Sequence, residues 1–397
     1  MRRFLVALAL PVSVVASSCS EPLNSIGDDA GTGTDEGEGE GEGEGEGPGG
    51  EGEGENPVGE GEGEGENPVG EGEGEGEGEG EGEGEGEAVI RFIAIGDAGK
   101  GNDGQYEVAD AIRDVCDSHG GCSFALLLGD NIYDTGVDDH EDEQWQEKFE
   151  LPYAELDFPF YATLGNHDYG APEVLQNYAG GIGVDPRRGA AQVAYSEHGD
   201  KFFMPDTHYR LQEGFLELVS LNTSSMFWTD LPFIERVTGY DEENERLRNN
   251  LRAWEASPLA EWRIAFGHHP YLSNGPHGNA GRYDGVIVDG LIGSGTGLRD
   301  FFDEYVIGHF DVYLAGHDHS IQDIGVYGGT ELLVSGGGSS HTDIEGDNDV
   351  HFQADRKGFL FVEATATTMS FQFVVVPDDD DDSTEAFTFG PIRTITR

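Results

Sequence analysis

Residues 124–133 read FALLLGDNIY. Five apolar residues in a row, without helical spacing, suit a short strand buried on both faces. Gly129 then lets the backbone turn sharply, and Asp130, Asn131 and Tyr133 follow at once. Such a strand delivers its polar side chains at the carboxyl end, where open α/β sheets bind their ligands. The arrangement recurs. Ala88–Ile95 runs into Gly96-Asp97-Ala98-Gly99, and Phe160–Leu164 into Gly165-Asn166-His167-Asp168. Arg263–Phe266 leads to Gly267-His268-His269-Pro270, and Val312–Ala315 to Gly316-His317-Asp318-His319. One such end is a polar turn; five in one chain read as a single site.

Working outward, Phe215–Leu221 and Leu332–Val334 are further strand candidates. Val108, Ile112 and Val115 repeat at helical spacing, as do Leu247, Leu251 and Trp254 ahead of a stop at Ser257-Pro258. Strands alternating with helices predict an α/β domain. The stretch from Ala88 onward is long enough for one large domain or two small ones.

The side chains at the strand ends limit the chemistry. Asp97, Asp130, Asn166, Tyr133, His268, His317 and His319 mix hard oxygen with imidazole nitrogen. That mixture suits iron, zinc or manganese better than calcium. Seven ligands exceed what one tetrahedral ion takes. They suit two ions sharing a carboxylate about 3.5–4 Å apart, an arrangement that clamps the attacking and leaving oxygens of a phosphoryl group.

Taken in order, the five blocks resemble the calcineurin-like metallophosphoesterase superfamily. Tyr133, placed three residues after Asp130, makes the chain similar to purple acid phosphatases of the small, tartrate-resistant type. So do GDNIYDTGV (129–137), AAQVAYSEHGDKFFMPDTHYRL (190–211) and the position of His277, over a match spanning residues 89–340. The resemblance implies a four-layer αββα sandwich of two mixed sheets flanked by helices. It implies that Asp97, Asp130, Tyr133 and His319 bind Fe(III). Asp130 would bridge to a divalent ion (Fe, Zn or Mn) on Asn166, His268 and His317. His167 and His277 would contact phosphate and assist the leaving group. The implied activity is acid phosphatase: hydrolysis of small phosphate monoesters by in-line attack of a bimetal-activated hydroxide. A phosphodiesterase or nucleotide hydrolase on the same metals is the alternative, and a binding protein with a vestigial site is the reading from another class. Two departures stand out. His269 occupies a position where the small mammalian-type enzymes usually carry Tyr, and the segment Met226–Asn244 falls where that family has a mobile loop. Asp168 is expected to orient Asn166 or His167 by a hydrogen bond.

The leader is of another kind. Met1-Arg2-Arg3 and the apolar run Phe4–Val15 have the charged and apolar regions of a secretory signal. The run is too short to span a bilayer, which takes about 20 residues. Ala16-Ser17-Ser18-Cys19 allows ordinary cleavage with an incidental Cys19, or a bacterial lipoprotein in which Cys19 is lipidated. Cys116 and Cys122 are close enough to pair in an oxidising compartment, which leaves Cys19 unpaired and favours the lipoprotein. Residues 36–87 hold 22 Glu and 23 Gly. Such a tract cannot form a core, and it reads as a spacer from a membrane surface or as a neutral expansion. The expected organisation is a signal peptide at 1–18, a disordered linker at 19–87, a metallophosphoesterase domain at 88–377, and an acidic loop with a tail or last strand at 378–397. The expected location is exported: lipid-anchored in a bacterial envelope or at its surface, or otherwise secreted.

The formal charge of −59 belongs only partly to the leader, since 54 acids and 19 bases remain from Ala88 on. That balance excludes nucleic acid as a partner, because its phosphates would be repelled. It also excludes a polybasic membrane contact. Any membrane association is expected only through the lipid anchor. The acidic loop containing Asp343, Glu345, Asp347 and Asp349 lacks calcium-loop spacing.

Overall fold

A computed structural model describes residues 87–171, 181–283, 295–378 and 385–397. The expected signal peptide, Cys19 and the Gly-Glu tract lie outside the described residues, as does most of the acidic run after Asp378.

Two mixed sheets form the domain. The first is built on β1 (Ile90–Ile95), β2 (Phe124–Leu127), β3 (Phe160–Ala162) and β4 (Phe202–Phe203), which run parallel to one another. On the other side of β1, β12 (Lys357–Ala364) and then β13 (Thr368–Val376) pair antiparallel. The second sheet has β6 (Leu216–Ser220), β7 (Trp262–Phe266), β8 (Val312–Ala315) and β10 (Thr330–Ser335) in parallel. Antiparallel β5 (Tyr209–Glu213) lies at one side, and β9 (Ile321–Tyr327) with β11 (Phe352–Ala354) at the other. Every residue of β2, β3, β6 and β8 is buried. That explains their near-continuous apolar sequence, because a parallel sheet is covered on both faces. Helices flank the two mixed sheets, as the expected α/β architecture requires.

The sheets are stitched together near the carboxyl ends of their parallel strands. Ser335 Oγ donates to the Ala94 carbonyl at 2.8 Å, and Thr163 Oγ1 to the Leu221 carbonyl at 2.9 Å. Gly96 N donates to the Ser335 carbonyl at 2.7 Å. The loops leaving β1, β2, β3, β7 and β8 therefore converge.

The helical spacing after Asn102 becomes a helix over Asp103–Ser118, whose first turn is capped by the Asn102 side chain accepting from Gln105 N at 3.1 Å. The helix ends at the Cys116–Cys122 disulfide, Cα–Cα 5.2 Å, which ties it to the start of β2. The helix expected around Leu247 spans Tyr240–Glu255. Met226–Asn244, expected as a loop, is mostly helical. Short turns over Thr223–Met226 and Phe227–Asp230 lead into a helix at Pro232–Thr238. Its Trp228 Nε1 and Tyr240 Oη both donate to the Gly183 carbonyl at 3.0 Å. At the carboxyl terminus, β14 (Thr388–Phe389) and β15 (Arg393–Thr396) both pair with β13. Arg393 makes a bidentate contact with the buried Asp323 at 2.7 Å on each arm. Among the described residues no helix is long and apolar enough to cross a membrane.

Candidate metal centre

Three residues at the strand ends have left-handed backbone: Asp97 (φ 58°), Asp130 (φ 54°) and His317 (φ 73°). Among the described residues they are the only non-glycine residues with positive φ. This conformation is uncommon for residues with a Cβ, and such strain concentrates where a side chain must be aimed. The neighbouring glycines make room for it. A Cβ on Gly165 would stand 2.1 Å from Asp130 Oδ1, and one on Gly316 would stand 2.6 Å from Asp97 Oδ2.

The side chains so aimed form two groups that share Asp130. In the first, the Tyr133 hydroxyl lies 3.0 Å from Asp97 Oδ1, 2.9 Å from Asp130 Oδ2 and 2.9 Å from His319 Nε2. In the second, His268 Nε2 lies 2.9 Å from Asn166 Oδ1, 3.4 Å from Asp130 Oδ2 and 3.1 Å from His317 Nδ1. Asp97, Asp130 and His268 form a buried cluster whose ligand atoms all lie within 4.8 Å of one another. Two atoms each about 2.1 Å from one ion, at right angles, are about 3.0 Å apart. These contacts therefore have the length of the edges of a coordination shell.

Proton accounting makes the same point. His268 Nδ1 faces the Leu128 carbonyl at 2.9 Å, and a carbonyl only accepts, so Nδ1 carries the hydrogen. Asn166 Nδ2 donates to the Gly181 carbonyl at 2.7 Å, so its oxygen points inward. Asp130 Oδ1 accepts from His167 N at 2.9 Å and Asp97 Oδ2 from His317 N at 2.8 Å, which leaves the other carboxylate oxygens for the centre. His319 Nδ1 is 3.2 Å from Ser340 Oγ. Two acceptors, Asn166 Oδ1 and Asp130 Oδ2, thus converge on the unprotonated His268 Nε2, with His317 Nδ1 beside it, and one proton there would serve only one of them. A cation serves every lone pair that faces it, and the outer hydrogen bonds fix each candidate ligand's orientation as they do at metal centres. The donor set fits two ions.

Charge behaves consistently with that fit. Burial, reinforced by the Asp130 carboxylate, pushes Asp97 up to about 7. Burial and the two carboxylates push Tyr133 well above its usual range, and burial pulls His319 down to about 3. Anionic oxygens cannot share a dry volume without positive charge, and bound cations invert this logic.

His167 and His277 flank the two groups. The His167 ring lies over Tyr133 with centroids 4.4 Å apart, and His277 stacks on His317 at 4.2 Å. His269 is buried against Phe227 and His317, with Nδ1 3.1 Å from Thr223 Oγ1. Asp168 does not orient the side chain of either neighbour. Its carboxylate accepts from Gly165 N (2.7 Å), Ile132 N (3.0 Å), Gln192 Nε2 (2.7 Å) and Asn131 Nδ2 (3.3 Å), which locks two site loops together. Sequence reasoning missed Ser340 and Thr223. It also missed Lys100, whose Nζ sits 2.7 Å from Ser340 Oγ and 5.3 Å from the centre of the Tyr133 ring. No local pattern marks the first two; Lys100, the first base after Asp97, carried the only signal.

A family model described as calcineurin-like phosphoesterase matches residues 90–320. Tartrate-resistant acid phosphatase type 5 of Sus scrofa is 26% identical over 317 residues, covering 72% of this chain and 83% of that protein. Purple acid phosphatase 7 of Arabidopsis thaliana is 27% identical over 304 residues, covering 71% of this chain and 81% of that protein. Among solved structures, the purple acid phosphatase PPD1 from yellow lupin (Lupinus luteus) seeds superposes with a TM-score of 0.54 at 17% identity. That superposition covers 78% of this chain and 54% of that one.

Proposed function

The chain belongs to the calcineurin-like phosphoesterase family, and on that premise we propose that it is an exported acid phosphatase acting on small phosphate monoesters. One observation carries the reading: two ligand groups share Asp130, and a tyrosine hydroxyl completes the first of them. Asp97, Asp130, Tyr133 and His319 would hold Fe(III). Asp130, Asn166, His268 and His317 would hold a divalent Fe, Zn or Mn ion. When bound, the two cations would supply positive charge for phosphoryl oxygens and lower the pKa of bound water towards about 7.

The remaining work falls to the chain. The outer hydrogen bonds to Leu128, Gly181 and Ser340 hold the ligands in place before substrate arrives, which is the preorganisation that electrostatic catalysis needs. His277 or His167 gives a proton to the leaving alkoxide oxygen. No side chain of the protein is phosphorylated on the way. The Cys116–Cys122 disulfide supports export, since such bonds persist in oxidising compartments. The lipid on Cys19 would be read by incorporation of labelled fatty acid that Cys19→Ser abolishes.

Activity tests the centre directly. Asp97→Asn and His317→Ala should each lower kcat on 4-nitrophenyl phosphate by at least about 100-fold, or about 2.7 kcal/mol. Unchanged rates would sink the assignment. Comparing that ester with bis(4-nitrophenyl) phosphate separates the monoesterase from a diesterase. Iron in the first group predicts a purple or pink protein that Tyr133→Phe bleaches, whereas a colourless zinc-only protein would remove iron from the reading.

A further inference from the structure

Ser339–Asn348 runs beside the candidate centre, from the Asp97 and His319 loops to the turn 273–279. Ser339 Oγ donates to the Asp97 carbonyl at 2.5 Å, and Thr342 N donates to the His319 carbonyl at 2.7 Å. Further on, Glu345 N and Gly346 N both donate to the Asn274 carbonyl, at 2.7 and 2.8 Å. The segment then ends in a clamp on the turn 273–279, near whose apex stands His277. Asn348 Nδ2 donates to the Ser273 carbonyl at 2.9 Å and to Asn279 Oδ1 at 3.0 Å, so one side chain spans both ends of the turn. Asn279 Oδ1 also accepts from Ser273 N at 2.8 Å. Asn274 answers from within: its Oδ1 accepts from Asn348 N at 2.7 Å, and its Nδ2 donates to the Asn348 carbonyl at 3.0 Å and to Gln353 Oε1 at 2.8 Å.

The inner side of the turn is equally constrained. Asp318, fully buried, accepts from His277 N at 2.9 Å. Gly275 is pressed so closely on Asp318 that a Cβ would stand 2.3 Å from its carboxylate carbon. The turn is therefore gripped from the strand side by Asp318 and from the solvent side by Asn348. Hydrogen-bonded networks of this kind fix one geometry, and a displacement of about 1 Å can cost a catalytic group about 100-fold.

We propose that Asn348 is a positioning residue that sets the place of the His277 imidazole, and thereby governs protonation of the leaving group. The proposal rests on the reading of His277 as a proton donor. It also gives the Asp343–Asp349 segment a role, which is to present one asparagine at the rim of the site.

The test uses two esters that differ in their need for a proton. An alkoxide such as that of 2-phosphoglycerol leaves poorly unless protonated, whereas nitrophenolate leaves unaided. In the metal-loaded full chain, Asn348→Ala should raise the ratio of kcat on 4-nitrophenyl phosphate to kcat on 2-phosphoglycerol about tenfold. His277→Ala should raise it at least as far, and adding Asn348→Ala to His277→Ala should raise it no further. Asn279→Ala, which also loosens the purse-string across the turn, should move the ratio in the same direction and stands in if Asn348→Ala does not fold. A ratio that moves with His277→Ala but not with either asparagine variant overturns the clamp alone. So does an asparagine effect that persists in the His277→Ala background. A ratio indifferent to His277→Ala overturns the proton-donor reading, and the clamp with it.

Discussion

At the scale of single residues, the glycines at the strand ends are as informative as the candidate ligands they precede. Asp97, Asp130 and His317 hold left-handed backbone only because their surroundings leave no alternative. Gly165 shows how little room remains, since an added Cβ would stand 2.1 Å from Asp130 Oδ1 and 2.3 Å from its amide nitrogen. Gly165→Ala must therefore displace the carboxylate that both ligand groups share. It should lower bound metal, read by elemental analysis, from two ions per chain towards one or none; full loading would contradict the sharing. A second residue prediction concerns His208, which is buried with Nε2 accepting from Asn250 Nδ2 at 3.1 Å and Nδ1 without a partner. Burial, with Arg246 nearby, lowers it from 6.5 to about 4. The unfolded chain binds a proton at His208 below about 6.5 and the folded chain does not until about 4, so stability is fully present above 6.5 and is lost as pH falls through that window. The loss is up to about 3 kcal/mol. His208→Gln should flatten the difference in urea midpoint between pH 7 and pH 4.5, and parallel curves for the two proteins would refute the assignment. The seven ligand candidates were legible because each sits just beyond a Gly at the end of an apolar run. Ser340, Thr223 and Asn348 were not, because each acts from a distant loop through contacts that no spacing encodes.

At the scale of elements, the short apolar strands could be read from sequence because burial on both faces leaves little but aliphatic and aromatic residues. Phe124–Leu127 and Val312–Ala315 fall where the apolar runs place them. Met226–Asn244 was harder. Its helix Pro232–Thr238 is only seven residues long and buries none of them, so it has no apolar period to detect. A last strand is one of the two readings of 378–397, and β14 and β15 supply it; their pairing with β13 was not legible, since exposed, alternating residues name no partner. One link between elements can be tested alone. The Cys116–Cys122 disulfide closes a short loop between the helix Asp103–Ser118 and β2, and a loop of that size is worth about 2 kcal/mol in chain entropy. Replacing both cysteines by Ser should lower stability by about that amount in urea unfolding and leave nitrophenyl phosphate turnover within about twofold. A large loss of activity at full folding would mean that the helix end carries a role in the site.

At the scale of the whole molecule, the charge is concentrated in ways that pull against each other. All strands of both sheets come from residues 90–396, and this part of the chain is strongly acidic. The proposed centre is cationic only when loaded, and only over a few ångströms. A substrate approaching from solution first meets the long-range field of the acids, and repulsion slows association of anions. Screening weakens that field, because the Debye length falls from about 30 Å at 0.01 M salt to about 8 Å at 0.15 M. For a polyanionic ester, kcat/KM should therefore rise as an inert salt is raised over that range. For a monoester whose alcohol carries an ammonium group, the dependence should be weaker or reversed. Residues 36–87 contribute 22 further glutamates. A chain beginning at Glu87 should show the same rates as the full chain at 0.15 M salt, and a faster rate on the polyanion at 0.01 M. If instead salt slows the polyanion in both proteins, the local cationic site dominates at long range and the acidic surface has no part in selecting substrate.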